Sequence, residues 1–310
     1  MVRYSLRRLG GILVTLFFLS MFTFVLSRAI PGGPWDVGVE IPRSDEDIAR
    51  FKAKYGLDKP IWQQYLIWLR NASMLDFGSP YMAPELSVTQ LILRQLPYSA
   101  LVGGLAATLS IAFGIFFGMV AAARQNTWVD TAISTVAVVI GTVPGFVLGF
   151  VLVYFFAAKW RWFPAGGWGE GGIRHLVLPV VAFGVPATGG TARWTRQCLV
   201  EAMSSDYVRT AYSKGVRQPG VMSRHVLRNA LIPIVTAFLP RFPAMMTGSI
   251  FIEHTFGIPG LGQWFVSSSF SRDYPMVLGI TIFWALLIAL TYFITDILYC
   301  LIDPRVRLTE

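Results

Sequence analysis

Six stretches of this chain are apolar for about the length of a lipid bilayer, and no other feature restricts its fold so far. They run from Leu9 to Ile30, Pro97 to Ala123, Val129 to Ala158, Leu176 to about Thr191, Ala230 to Ile252 and Met276 to Ile302. A helix needs roughly 20 residues at 1.5 Å each to cross the hydrocarbon core. In that core every backbone N–H and C=O must be satisfied within the protein, so blocks of this length read as helices. Only 14% of the 310 residues are charged, against about 25% in soluble domains, which leaves much of the surface for lipid. The expectation is an all-α, polytopic membrane protein with six transmembrane helices. The first run exceeds the roughly 7–15 apolar residues of a cleaved signal peptide and is closed by Pro31-Gly32-Gly33-Pro34, so it reads as a retained span.

The net charge of +9 sits on residues that flank the apolar spans. That assigns it to topology and to an anionic leaflet, and away from nucleic acid. With the N-terminus inside, the cytoplasmic segments hold Arg3, Arg7, Arg8, Arg124, Arg193, Arg196, Arg209, Lys214, Arg217, Arg224, Arg228, Arg305 and Arg307. Against them stand only Glu201, Asp206, Asp303 and Glu310 as clear acids, with Asp130 at the border. Both termini therefore read as cytoplasmic.

Residues 31–96 form a long, nearly neutral outer segment after the first span. Asp45 to Tyr55 has an acidic start and amphipathic spacing and ends at Gly56. Trp62, Tyr65, Leu66 and Leu69 follow at roughly helical spacing, so a small helical subdomain is expected there. The implied division is 1–30 (N-terminal segment and first span), 31–96 (outer subdomain), 97–302 (five-helix core) and 303–310 (cytoplasmic tail). Trp160, Trp162 and Trp168 read as interfacial aromatics. Cys198 and Cys300 lack a CxxC partner and imply neither a disulfide framework nor a metal.

Between the fourth and fifth spans lies a polar, Arg-rich island, within a cytoplasmic loop taken as residues 193–229. Leu199, Met203, Tyr207 and Ala211 recur every four residues and predict one apolar helical stripe. Gly215 suits the left-handed position that ends a helix, and Pro219 the first turn of the next. The second helix would carry Val221, Met222, His225 and Leu227, with Arg224 and Arg228 on its flanks. Two short helices at a tight corner make a knob that a soluble partner can grip.

The residues of this island resemble a known family. Membrane subunits of ATP-binding-cassette importers carry a cytoplasmic motif of Glu-Ala-Ala, three residues, Gly, nine residues, Ile-x-Leu-Pro. With Gly215 as its glycine, Ala211 falls on the second alanine and Leu227 on the leucine, while Arg209, Thr210, His225 and Arg228 replace the other motif residues. The similarity is much fuller to the permeases of the dipeptide, oligopeptide and nickel import branch. It covers Asp206-Tyr207-Val208-Arg209-Thr210-Ala211-Tyr212-Ser213-Lys214-Gly215 and Arg224-His225-Val226-Leu227-Arg228-Asn229-Ala230. Tyr55-Gly56-Leu57-Asp58-Lys59-Pro60, Asp76-Phe77-Gly78-Ser79, Phe256-Gly257-Ile258-Pro259-Gly260-Leu261-Gly262, Asp273-Tyr274-Pro275 and Asp303-Pro304 extend it along the chain. Gly33 stands where that branch usually has aspartate, and Leu239-Pro240-Arg241-Phe242-Pro243 departs from its apolar fifth span.

The resemblance implies a permease subunit that imports peptides by alternating access in the cytoplasmic (inner) membrane of a bacterium or archaeon. It implies a second homologous permease, two ATP-binding subunits, an extracytoplasmic substrate-binding protein and membrane lipid as partners. ATP and Mg would be bound by the ATPases, with no cofactor and no metal in this chain. Coupling to the ATPases would fall on Asp206, Tyr207, Arg209, Ala211, Lys214, Gly215, Arg224, His225, Leu227, Arg228 and Asn229. Nickel chelates or another small solute are the alternative cargo, and a secondary transporter the alternative class.

The remaining candidates are weighed from the residues themselves. Arg241 lies midway along the fifth run, where a charge facing lipid costs roughly 2.5–3.5 kcal/mol or more. It either lines a translocation path and attracts an anionic group or pairs with another helix. Glu253 and His254 are placed at the outer end of that run, with Glu253 a further pathway candidate and a loop contact near a docked binding protein the competing reading. Asp296 reads as an inter-helix or interfacial contact. Gly141, Pro144, Gly145 and Gly149 interrupt the third run and predict either close helix packing or a bend. No GxxxxGK[ST], HExxH or GxSxG signature is present, so neither ATP hydrolysis nor membrane-embedded hydrolase chemistry is expected here.

Overall fold

The computed structural model describes residues 2–29, 31–37, 44–169, 172–217 and 220–302. Pro219 and the tail from Asp303 to Glu310 lie outside the described residues, as do the side chains of Arg3 and His225. Among the described residues all regular structure is helical. Five helices among the described residues are long and apolar enough to span a membrane, or six spans if one sharply bent pair is counted as one.

The chain divides into two compact units. The first joins the residues up to Pro97 to those from Pro259 onward. Its helices are α1 (Val2–Ala29), α2 (Asp45–Tyr55), α3 (Ile61–Ala72), the first turns of α4 (Val88–Ala123), α12 (Leu261–Phe270) and α13 (Tyr274–Ile302). Helix α1 runs along α13, and Arg8 Nη2 meets Asp296 Oδ2 at 2.9 Å, so Asp296 makes an inter-helix contact. Helix α2 has the predicted limits. The Ser44 hydroxyl accepts the Asp47 N–H at its start, and Gly56 closes it with φ of 65°.

Phe77, Val88, Leu91, Ile92, Met276 and Ile280 form the core of this unit. At its edge Asp273 caps α13, its Oδ1 accepting the Met276 N–H at 3.4 Å. Its Oδ2 accepts the Met82 N–H at 3.1 Å and pins the 76–87 loop to that helix end. Asp36 accepts the Gly33 N–H at 2.6 Å and meets Arg272 Nη1 at 3.2 Å, so a carboxylate lies against Gly33 although the family aspartate is missing there.

The second unit runs from Tyr98 to Ile258. It contains the rest of α4, α5 (Trp128–Thr142), α6 (Gly145–Leu152) with a π-turn continuation (Val153–Lys159), and α7 (Ile173–Met203). Then come α8 (Asp206–Ser213), a π-turn (Val221–Val226), α9 (Leu227–Phe238), α10 (Arg241–Met246) and α11 (Ile250–Phe256). Val102, Leu178, Ala182, Ile252, Phe256 and Ile258 make one core, and Leu199, Val208, Ala211, Val221, Val226 and Ile234 belong to another.

Several limits differ from the sequence reading. The second span is read from Pro97, but α4 begins at Val88, with Val88, Leu91 and Ile92 buried and Pro97 inside the helix. An interior proline removes one ladder hydrogen bond and crowds the carbonyl four residues back, a cost that the burial of the flanking turns offsets. The fourth span is read to Thr191, but α7 continues through Arg193 and Arg196 to Met203, because Thr195, Cys198 and Leu199 are buried. The third run bends by 94° at Val143-Pro144. Close packing operates there too, since a Cβ at Gly145 or Gly149 would press on the Ala182 carbonyl or the Phe256 ring at 3.0 and 3.1 Å.

The fifth run is broken twice, at Leu239-Pro240 and at Thr247-Gly248-Ser249. Gly248 has φ of 94°, a left-handed backbone that side chains avoid. The break lets α10 approach α4 backbone to backbone, where a Cβ at Gly103 would collide with the Met245 carbonyl.

Candidate functional site

The island forms a corner with an apolar base and a polar outer face. Ser204 and Ser205 interrupt the helix, and α8 starts at Asp206, so the four-residue stripe is not continuous. This interruption shifts the helical phase. Val208 is buried at 1% exposure while Tyr207, the predicted inward residue, is 41% exposed. Ala211 and Leu199 are buried as the stripe requires.

Helix α8 closes in a two-bond cap. The Gly215 N–H donates to the Tyr212 carbonyl at 2.9 Å and the Val216 N–H to the Ala211 carbonyl at 3.2 Å. Gly215 has φ of 77°, and no atom lies within 4 Å of the place its Cβ would take. Its requirement for glycine is therefore one of backbone conformation and not of space. The chain then enters the π-turn Val221–Val226, which passes directly into α9. Val221, Val226 and Ala230 are buried against Val208 and Ala211.

What remains outside is polar and basic. Asp206, Arg209, Lys214, Gly215, Arg217, Arg224, Arg228 and Asn229 are exposed, with Tyr207 and Tyr212 among them, and Leu227 is half-buried. Arg209 reaches Asp206 at 3.8 Å, an exposed pair that contributes little to stability. Tyr207 and Asn229 line one groove of about 460 Å³ together with Trp194, Gln197 and Glu201. Of the coupling candidates, Ala211 belongs to the base of the corner and the others with described side chains lie on its surface or rim.

Deeper in the same unit, Arg241 begins α10 just after the Leu239-Pro240 break. It lines a cavity of about 170 Å³ with Arg193, Ser110, Thr191, Phe238 and Phe242. Ser110 Oγ and Thr191 Oγ1 lie 3.1 Å apart in that group, and the Arg241 guanidinium sits 5.5 Å from the Phe238 ring centre. No carboxylate pairs with Arg241 among the described residues. From the sequence Arg193 reads as a topology-setting charge, and the structure places it in this cavity. Its place seven residues beyond Pro186, inside a helix with Gly189 and Gly190, is the signal available for it.

Glu253 is 1% exposed and its carboxylate lies against Gly248, which Ser99 also approaches. The carboxylate is thus enclosed by the protein just after the left-handed turn at Gly248. His254, the next residue, is exposed. Among the described residues no group of three or more His, Cys, Asp and Glu is arranged to hold a metal ion.

Comparison with known proteins decides the family. Residues 114–308 match the family described as binding-protein-dependent transport system inner membrane component, and residues 1–112 match its N-terminal region. The chain belongs to this family. It is 37% identical over 307 residues to the oligopeptide transport system permease protein OppB of Haemophilus influenzae, covering 99% of this chain and 100% of that protein. It is 36% identical to OppB of Escherichia coli K12 over 307 residues, with the same coverage. Identity to the dipeptide transport system permease protein DppB of Bacillus subtilis is 35% over 309 residues, 99% of each.

The permease fold agrees. An inward-facing structure of the MetNI methionine ABC transporter superposes with a TM-score of 0.58 at 16% identity, covering 69% of this chain and 97% of that one. An amino acid ABC transporter superposes with a TM-score of 0.51 at 18% identity, covering 68% and 94%. The chain is thus a multi-pass membrane permease with the fold of ABC importer subunits. Its family is one of transport proteins and not of enzymes.

Proposed function

We propose that this permease imports peptides, with ATP binding and hydrolysis in two partner ATPases driving alternating access. The observation that carries the reading is full-length identity of 35–37% to oligopeptide and dipeptide permeases. An extracytoplasmic binding protein delivers the cargo, a second permease completes the pathway, and ATP and Mg stay with the ATPases. Both termini face the cytoplasm in this reading, on the basic residues around the spans.

The corner from Asp206 to Asn229 is the part seated on the ATPase. Its support is the division already described, in which a buried apolar base holds an exposed basic face. Arg209, Lys214, Arg224 and Arg228 present cations to the partner, and Tyr207 and Asn229 offer a groove. His225 keeps the coupling role given by its motif position. Arg241, joined by Arg193, attracts the carboxylate of a peptide within the pathway, because two guanidinium groups in one small cavity favour an anion.

Proteoliposomes holding the full assembly test the reading. Peptide uptake that needs internal ATP and the binding protein is expected. Uptake driven by an ion gradient without ATP would replace it with a secondary transporter.

A further inference from the structure

A second cavity, of about 360 Å³, lies wholly within the first unit. It falls within the roughly 300–1,000 Å³ typical of small-molecule sites. Arg28, near the end of α1, enters it between two rings, its guanidinium carbon 4.6 Å from the centre of Phe24 and 4.4 Å from that of Tyr274. Arg28 Nε donates to Gln64 Oε1 at 3.2 Å. Gln64 is itself fixed, because its Nε2 donates to the Lys59 and Leu57 carbonyls. The guanidinium is therefore held in one orientation by stacking and by a hydrogen bond.

Two buried donors of this cavity remain unsatisfied. Arg28 Nη1 and Trp68 Nε1 are buried and have no hydrogen-bond partner among the described residues. Leaving a buried donor unmet costs about 1–3 kcal/mol, and more when it is charged. Both atoms only donate, so the missing group is an acceptor. Lys54 and Lys59 add positive charge at the lining, and among the described residues that line it Asp76 is the one with a carboxylate. That carboxylate already accepts the Gly78 N–H at 2.9 Å. Phe77, Ile67 and Leu278 give the wall an apolar part, beside the polar Asn71, Ser79 and Tyr81.

We propose that this cavity binds an oxyanion, a carboxylate or phosphate, carried on an apolar or aromatic body. Arg28 and Trp68 donate to the anion, Lys54 and Lys59 draw it in, and the apolar wall takes the body. A soluble acid and the headgroup of an anionic lipid share this chemistry.

The test uses the full chain in phosphatidylcholine nanodiscs and reads the thermal unfolding midpoint. The probes are N-acetylphenylalanine, inorganic phosphate, and replacement of part of the lipid by phosphatidylglycerol. At least one probe is expected to raise the midpoint saturably in the wild type. Arg28→Gln should weaken that response about tenfold or more, since hydrogen bonds to charged groups contribute about 1.5–3 kcal/mol. Trp68→Phe keeps the ring, loses the donor and should weaken it severalfold. Lys54→Gln, at an exposed position, should reduce it with the basal midpoint unchanged. Response to N-acetylphenylalanine or phosphate in phosphatidylcholine identifies a soluble ligand, and response to phosphatidylglycerol alone identifies a lipid. No response to any probe overturns the proposal, as does an undiminished response in Trp68→Phe and Lys54→Gln, which decide the matter if Arg28→Gln does not fold.

Discussion

Arg196 grips Asp130 at two points, Nε to Oδ1 at 2.5 Å and Nη2 to Oδ2 at 2.7 Å, and so ties α7 to the first turn of α5. The carboxylate also accepts the Asn126 N–H and the Ser134 hydroxyl, so all its neighbours depend on its charge. Asp130 is only 6% exposed at its side chain and Arg196 29%.

Removing one partner should therefore cost more than removing both. Arg196→Met strands a buried carboxylate and is expected to destabilise by about 3–5 kcal/mol. The double variant Arg196→Met with Asp130→Asn should recover a good part of that loss. Thermal unfolding in detergent measures both, and equal losses in the single and double variants would count against the pair as a clamp.

Gly215→Val places a β-branched residue at φ of 77° in open space, so the strain is conformational and costs about 1–2 kcal/mol locally. The expected result is normal assembly and ATP hydrolysis with uptake sharply reduced. Gly215→Asn, which tolerates a left-handed backbone, should retain most transport. Full coupled uptake in Gly215→Val would remove the corner from the coupling mechanism.

Arg241→Met and Arg193→Met should each reduce peptide uptake while leaving the amount of assembled transporter unchanged. The two losses should not add fully, because both groups face one cavity. Uptake assays beside co-purification yields provide the check. Normal uptake in both variants would make the cavity incidental to transport.

Burial pushes the Asp273 carboxyl above the usual carboxylate range, while the amides of Met82, Met276 and Tyr81 pull it down. The native state thus holds that proton more tightly than the unfolded chain. Its contribution is fully present below the unfolded value, near 3.8, and is lost as pH rises through the higher folded value. Asp273→Asn cannot ionise, so its unfolding midpoint should improve relative to wild type as pH rises from acid to neutral. A pH-independent difference between the two proteins would refute this assignment.

The sequence made much of this legible because length and apolarity are local properties. The first and last spans, the Asp45 to Tyr55 extent of α2 with its stop at Gly56, and the left-handed Gly215 all follow from nearest neighbours. The misreadings occur where a short break resets the helical phase. Ser204-Ser205 moves the buried position from Tyr207 to Val208. Hydropathy also misjudges helix ends, since Arg193 and Arg196 sit in a helix that tertiary burial prolongs. The pairing of Arg196 with Asp130, 66 positions apart, has no local signature.

The first unit is closed by contacts such as that of the Asp273 carboxylate with the Met82 amide, 191 positions apart, whereas the second is continuous in the chain. During synthesis from the N-terminus the second unit is complete once Ile258 has emerged. The first must wait for the final segment, with Phe77, Val88 and Ile92 lacking Met276 and Ile280 until then. A chain halted after residue 258 should therefore yield a protease-resistant fragment from the middle of the sequence and a cleavable N-terminal part. The latest moment of its biosynthesis, not the earliest, decides whether the segment up to Pro97 survives quality control.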